Sequence, residues 1–265
     1  SMPRTGGTRT HTTRVTTGIL SAQPRPESEK APYFDLEKKH NVELIFAPFI
    51  KLDSITPKEF RKQKIDILKY TAVGVTSRNA IDFFCKMCEE MKVSVSQDMK
   101  YFCITEAVAL YLQKFITYRK RKAFFGLDGT NESLFECLSK FKQTEKFLYV
   151  CSENQQDNEI VNWLKNNNCD FQLAFMYRSL SNDIKPVLEN TLYDIICFFT
   201  PSGVKSLLEN YPAFNKNGTT IGAFGNNTIL TAEQAGFVVP IRAPIPNAPS
   251  MVSALDIYLD GYMKK

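Results

Sequence analysis

The residues able to do chemistry in this sequence are mostly small and polar. Four stretches place a hydroxyl or amide side chain directly after an apolar run and directly before a helical pattern. They are Ser77-Arg78-Asn79, Thr105-Glu106, Thr200-Pro201-Ser202-Gly203 and Gly225-Asn226-Asn227-Thr228. Where a parallel strand ends and a helix begins, free backbone N–H groups and the helix dipole favour an anion. In open α/β sheets, ligands bind beyond the carboxyl ends of the strands. Gly225 allows a close approach of the backbone. Ser, Thr and Asn in such places are also ordinary N-caps, and any one turn taken alone reads that way. Four turns in two matched pairs predict a polyanionic ligand held between two domains. Tyr177, followed by Arg178, ends a strand near these turns. A phenol there can donate a proton or a hydrogen bond to a leaving group, although a lone Tyr at a strand end usually packs.

Other chemistries lack their residues. The chain holds only His11 and His40, so a His-based triad or a multi-His metal site is not built from it, and no metal is expected. His40 follows Lys38 and Lys39 at a helix end, where it complements the dipole. There is no G-x-x-x-x-G-K-S/T, no G-x-G-x-x-G after a strand and no G-x-S-x-G elbow. The seven cysteines form no disulfide framework, and several sit in apolar runs as small buried hydrophobes. This usage suits a reducing compartment. Cys85-Lys86-Met87-Cys88 falls in mid-helix and has no second pair to complete a zinc site.

The net charge is +5, but Arg4, Arg9 and Arg14 lie in a first segment without acids, leaving +2 for the rest. That is not the footprint of a dedicated nucleic-acid binder. Residues 1–14 read as a disordered tail or, from Ser1 onward, a tag remnant. No apolar run approaches the length of a membrane span. Arg119-Lys120-Arg121-Lys122 is the densest basic run and reads as a solvated helix end.

The elements that must position the turns alternate regularly. Strand-like runs fall at 17–22, 42–47, 71–76, 100–105, 122–126, 147–151, 171–177, 194–200, 220–224 and 237–241. Helical patterns include 57–66, 78–91, 106–118, 132–142, 157–167, 202–209, 227–235 and 250–262. Such alternation predicts parallel sheets covered by helices, and ten strands suit two five-stranded sheets. An internal repeat aligns Val75–Ile81 with Phe198–Val204, Ser77 falling on Thr200, and Cys103–Ala107 with Phe224–Thr228, so that 77 maps to 200 and 104 to 225 at nearly one offset. A duplicated α/β domain follows, not a solenoid.

Several of these segments together resemble the uroporphyrinogen-III synthase family over about residues 17–262. The carriers are Val75-Thr76-Ser77-Arg78-Asn79-Ala80, Phe199-Thr200-Pro201-Ser202-Gly203-Val204, Ile221–Thr228, Tyr177-Arg178-Ser179 and the closing Pro244–Ala254. Ala31-Pro32-Tyr33-Phe34 and Tyr101–Lys122 are similar to the Bacteroidetes branch. The sequence departs from the family pattern at Ile104 and Ala107, where glycine and threonine are usual, at Asn226-Asn227 in place of Pro-Thr, and at Ile229 in place of Ala.

The resemblance implies an α/β fold of two flavodoxin-like parallel-sheet domains joined by a two-stranded connector. One domain takes 15–45 with 181–265 and the other 53–170, with connectors at 46–52 and 171–180. It also implies a reaction. Hydroxymethylbilane loses its terminal hydroxyl as water and closes through a spiro intermediate, with ring D inverted, to uroporphyrinogen III. The substrate's carboxylates would be gripped by the backbone at Ser77–Asn79, Thr105-Glu106, Thr200–Gly203 and Gly225–Thr228, and Tyr177 would assist the departing hydroxyl. No cofactor, nucleic acid or membrane is implied. The expected protein is a cytoplasmic monomer, with transient hand-over from hydroxymethylbilane synthase. Two alternatives stand beside it: a non-catalytic tetrapyrrole- or polyanion-binding module that keeps the same cleft, and a nucleic-acid-associated protein using Arg119–Lys122.

Overall fold

The computed structural model describes residues 17–116, 122–154 and 158–263. The tail 1–14 and most of the basic run 119–122 lie outside the described residues. The elements run β1 (Thr17–Ser21), α1 (Pro32–His40), β2 (Val42–Phe46), β3 (Ile50–Ser54), α2 (Pro57–Arg61), β4 (Ala72–Gly74), α3 (Arg78–Glu90) and β5 (Lys100–Cys103). Next come α4 (Glu106–Tyr111), β6 (Ala123–Phe125), α5 (Asn131–Ser139), β7 (Lys146–Ser152), α6 (Glu159–Asn166) and β8 (Asp170–Ser181). The last are α7 (Lys185–Leu188), β9 (Ile195–Phe198), α8 (Pro201–Asn210), β10 (Thr220–Phe224), α9 (Asn226–Gln234), β11 (Ile241–Ala243) and α10 (Met251–Met263). The chain forms two compact units, residues 1–50 with 181–265, and residues 51–180.

The first unit carries a five-stranded sheet in the order β11-β10-β9-β1-β2, with every neighbouring pair parallel. A strand covered on both faces needs apolar residues at both parities, and β9 meets this with Ile195, Ile196, Cys197 and Phe198, all buried. Ile195 and Cys197 pack with Leu36 of α1 and Leu255 and Leu259 of α10. Ile196 and Phe198 pack with Val204 and Leu207 of α8 and Ala232 of α9. His40, buried at the end of α1, places Nε2 2.7 Å from Asp256 Oδ1 and so ties α1 to α10.

The second unit carries a six-stranded sheet in the order β3-β8-β7-β4-β5-β6. The pairs β4–β5, β4–β7, β5–β6 and β7–β8 are parallel. Val73, Tyr101 and Leu148 face α3 through Ile81, Phe84 and Met87. Ala72, Phe102, Phe147 and Tyr149 face α5 and α6 through Leu134, Leu138, Val161 and Leu164.

Four readings of the sequence are corrected. The sheets have five and six strands because the connecting stretch 46–56 contributes β3 beside β8. The strand expected at 237–241 pairs only from Ile241, opposite Gly222. Pro240 has no N–H for a ladder, while Phe237 and Val239 stay buried without pairing. Helix 57–66 ends at Arg61, and Lys64 has a left-handed φ of 57° that turns the chain. Of the described part of the expected helix 106–118, residues 106–116, Glu106–Tyr111 is α-helical and is followed by one tighter turn to Lys114.

Candidate active site

In each unit, strand order decides where a ligand can sit. In the six-stranded sheet, β4 leads to β5 and β6 on one side and β7 leads to β8 on the other. The switch point therefore lies at the carboxyl ends of β4 and β7, where a crevice opens in sheets of this kind.

Ser77 follows β4 and caps α3, its Oγ accepting from the Ala80 N–H at 3.1 Å. Arg78 and Asn79 follow it and are exposed. The Arg78 guanidinium sits 5.5 Å from the ring centre of Tyr111, whose hydroxyl donates to Asp82 at 2.5 Å. Arg78 makes no ion pair among the described residues. Thr105 caps α4, accepting from the Val108 N–H at 3.3 Å, and Glu106 is exposed in the first turn of that helix.

Tyr177 lies on β8, in register with Ser152 at the end of β7. The residue is 8% exposed, and its ring stacks on Phe83 of α3 at 4.8 Å and 13°. Burial pushes its phenol well above the ordinary range, Tyr149 and Cys151 add to this, and hydrogen bonding to the Ser77 hydroxyl opposes it. The group is a neutral donor at any physiological pH. Tyr149 beside it is pushed up to about 12, mainly by burial, and accepts a hydrogen bond from Asn158 Nδ2 at 3.3 Å. Ser152 donates to Asn154 Oδ1 at 2.9 Å, and Asn154 Oδ1 accepts from the Ser179 N–H at 2.7 Å. Arg178 is committed: its Nε donates to Glu153 at 2.7 Å and its other arm pairs with Glu59.

In the five-stranded sheet, β1 leads to β2 on one side and β9 leads to β10 and β11 on the other. Thr200 at the end of β9 caps α8, its Oγ accepting from the Gly203 N–H at 3.0 Å. Pro201 takes the first helical position and Ser202 follows, half-buried. Gly203 is buried against Thr200 and Phe198. Gly225, at the end of β10, has φ +91° and open space where a Cβ would stand. It begins α9 with no side-chain cap, leaving Asn226 and Asn227 exposed and Thr228 buried.

Two groups result, each along the carboxyl edge of one sheet. Ser77, Arg78, Asn79, Thr105, Glu106 and Tyr177 share one edge, while Thr200–Gly203 and Gly225–Thr228 share the other. Ser77, Thr105 and Thr200 are N-caps, as the bland reading expects. A cap uses the side-chain oxygen on one helix N–H, and others in the first turn still point outward. Sequence reasoning did not single out Tyr149, Ser152, Asn154 and Asn158 on the same edge. The signal that finds them is strand order, which the sequence does not carry.

The family described as Uroporphyrinogen-III synthase HemD has a sequence model that matches residues 33–253. The chain belongs to the uroporphyrinogen-III synthase family. Among curated proteins, none matches the sequence. The uroporphyrinogen-III synthetase of Helicobacter pylori is similar in structure at 16% identity, covering 92% of this chain and 99% of that one with a TM-score of 0.58. A mutant uroporphyrinogen III synthase of Thermus thermophilus is similar at 14% identity, covering 94% and 100% with a TM-score of 0.56. At these identities the likeness establishes the fold. Membership of the uroporphyrinogen-III synthase family makes the protein a lyase of porphyrin and haem biosynthesis acting on a small tetrapyrrole.

No described helix is long and apolar enough to cross a membrane. One cluster among the described residues has metal-like donors: His40, Asp256 and Asp260. Lys39 already neutralises it, with Nζ 2.9 Å from Asp256 and 3.7 Å from Asp260. It sits where α1 ends and β2 begins, away from the carboxyl edge. Cys85 and Cys88 lie within α3, where burial pushes their thiols up to about 11 and 12. Neither is a thiolate at neutral pH in the metal-free protein.

Proposed function

We propose that this protein closes hydroxymethylbilane to uroporphyrinogen III, with Tyr177 hydrogen-bonded to the departing hydroxyl and the strand-end turns holding the carboxylates. The observation that carries the reading is Tyr177 itself: a neutral, desolvated phenol at the carboxyl edge of a sheet whose family performs this reaction.

The reaction needs little from the protein in electrons. The pyrrole nitrogen lone pair pushes through the ring to the hydroxymethyl carbon, the C–O bond breaks, and the oxygen leaves with the pair. A proton reaching that oxygen makes the leaving group water. The electron-poor methylene carbon left behind is attacked by the substituted α-carbon of ring D, giving the spiro intermediate. The older bond from that α-carbon to its methylene then breaks, the freed methylene bonds the unsubstituted α-carbon of ring D, and loss of the proton on that carbon restores the pyrrole with ring D inverted. The Tyr177 O–H suits stabilisation of the leaving oxygen by a hydrogen bond. Its stack on Phe83 fixes the phenol in place and limits what must be organised during the step.

The carboxylates find N–H groups at the first turns of α3, α8 and α9, with Arg78 a cation on the edge of the second unit. Thr105 and Glu106 complete the proposed contacts, with Glu106 limiting how closely a carboxylate settles at α4. Holding the arms decides which pyrrole carbon meets the reactive end, and so the isomer formed. The same reading has the protein act as a cytoplasmic monomer without cofactor, receiving its substrate from hydroxymethylbilane synthase.

The test is an isomer assay. Hydroxymethylbilane is generated in situ, the protein is added, and the oxidised products are separated. Dominant uroporphyrin III is expected. Isomer I alone, from folded protein, would reject the enzyme reading and leave a tetrapyrrole-binding module.

A further inference from the structure

We propose that Arg25 is a carboxylate-binding residue of the first unit, held ready for the substrate by two aromatic rings. The inference rests on the synthase reading for the identity of the ligand. It rests on geometry for the site.

The switch point of the five-stranded sheet lies between β1 and β9, so the loop leaving β1 borders the crevice where ligands bind in such sheets. That loop runs from Ala22 to Ala31, and the small polar turns after β9 and β10 share its edge. Arg25 is exposed on the loop. Its guanidinium carbon lies 4.7 Å from the ring centre of Phe34, in the first turn of α1, and 5.9 Å from that of Phe46, the last residue of β2. The two rings pack edge-on at 6.2 Å. They fix the guanidinium at the carboxyl end of β1 and β2. Arg25 makes no ion pair among the described residues, whereas Arg178 is paired twice and Arg242 bonds both Glu233 and the Val239 carbonyl. A guanidinium stacked on rings keeps its planar N–H fork free for a bidentate carboxylate.

A second observation points the same way. Ser21, the last residue of β1, is 1% exposed and its Oγ has no hydrogen-bond partner. It sits in register with Cys197 of β9 and Phe46 of β2, at the root of the same loop. A buried hydroxyl without a partner is rare and calls for an explanation, and a bound polar group at this strand end would provide one. The first turn of α1 adds to the site: Ala31 gives it no side-chain cap, so its leading N–H groups are not satisfied by a side chain. Arg25 thus mirrors Arg78 of the other unit, also stacked on an aromatic ring and also without an ion pair among the described residues.

The test compares the full-length protein with Arg25→Gln, Arg25→Lys and Phe34→Leu. Uroporphyrin III is the binding probe, followed by fluorescence over a range of salt, and the isomer assay gives KM and kcat. Arg25→Gln is expected to raise both Kd and KM about tenfold with kcat nearly unchanged, and to flatten the salt dependence. Arg25→Lys keeps the charge but loses the flat fork, and Phe34→Leu loosens the platform, so both should fall between. A purely structural role for Arg25 would leave the salt dependence as in wild type. Unchanged Kd and KM in Arg25→Gln, from a protein that makes isomer III, would overturn the inference and leave the synthase reading standing. Weakened uroporphyrin binding in Arg25→Gln, from a wild type that makes no isomer III, would keep the anchor and reject the synthase.

Discussion

Replacing Tyr177 by Phe removes one oxygen and keeps the stack on Phe83 at 4.8 Å. Two roles for that oxygen predict different losses. A general acid contributes about 10²–10⁴-fold, but only when its pKa lies near the working pH. Burial moves the Tyr177 phenol the other way, well above its ordinary value of 10.0. Proton donation is therefore poorly driven, and the phenol acts as a neutral hydrogen-bond donor. Such a bond contributes about 0.5–1.5 kcal/mol, so Tyr177→Phe should lower kcat about 2- to 13-fold while isomer III still dominates. The phenol is neutral in folded and unfolded chains at any pH well below 10.0, because the folded value is raised from there. It adds no slope to stability or rate across the neutral range. The assay is initial-rate formation of uroporphyrinogen III from hydroxymethylbilane, with circular dichroism to verify folding. A loss beyond about 100-fold from a folded variant would refute the neutral-donor argument and make Tyr177 a true acid. A wild-type rate would remove Tyr177 from the reaction.

Three further outcomes follow from single contacts. Thr200→Val deletes the oxygen that caps α8 through the Gly203 N–H and should cost about 1 kcal/mol, or about 2–4 °C in Tm by scanning calorimetry; Thr200→Ser should restore it. Gly225→Ala meets no atom within 4 Å, so its cost comes only from φ +91°; urea unfolding should register about 1–2 kcal/mol. Glu145 is pushed up by burial, but the Lys100 ammonium at 2.8 Å together with hydrogen bonds from Thr144 and Thr71 outweighs that and holds its carboxyl below the usual 4.5. Because the folded value is lowered, the stabilisation is present above pH 4.5 and is lost as pH falls through the folded value. Urea unfolding of Glu145→Gln should show a gap of about 1–2 kcal/mol from wild type at pH 7 that closes in acid.

Much of the architecture was legible because local physics dictates it. Runs such as Ile195–Phe198 are apolar at both parities, and only a strand covered on both faces wants that. Ser77, Thr105 and Thr200 cap helices because a short hydroxyl side chain reaches the third helix N–H. The candidate turns could therefore be placed to the residue. Short elements escaped: β3 has five residues of mixed burial, and α7 has four with none buried. Neither has the periodicity that marks a longer element. The shift from 237–241 to Ile241–Ala243 escaped too, because parallel register is set by the neighbouring strand and not by the segment itself.

By itself, the sequence determined that the protein is a parallel α/β chain with hydroxyl-rich turns after its strands, without nucleotide loops or multi-histidine metal sites. Those properties reside in residues a few positions apart. Only the tertiary structure decided strand order, and with it where each switch point lies. Tyr177 meets Phe83 and Ser77, and Arg25 meets Phe46, across separations that no local pattern spans. The tertiary structure also decided which cations are free, since an arginine paired with two glutamates and one stacked on two rings are written identically in the sequence. Pairing depends on which side chains non-local strand packing brings within hydrogen-bond reach, and burial then sets the charge state of what lies between them.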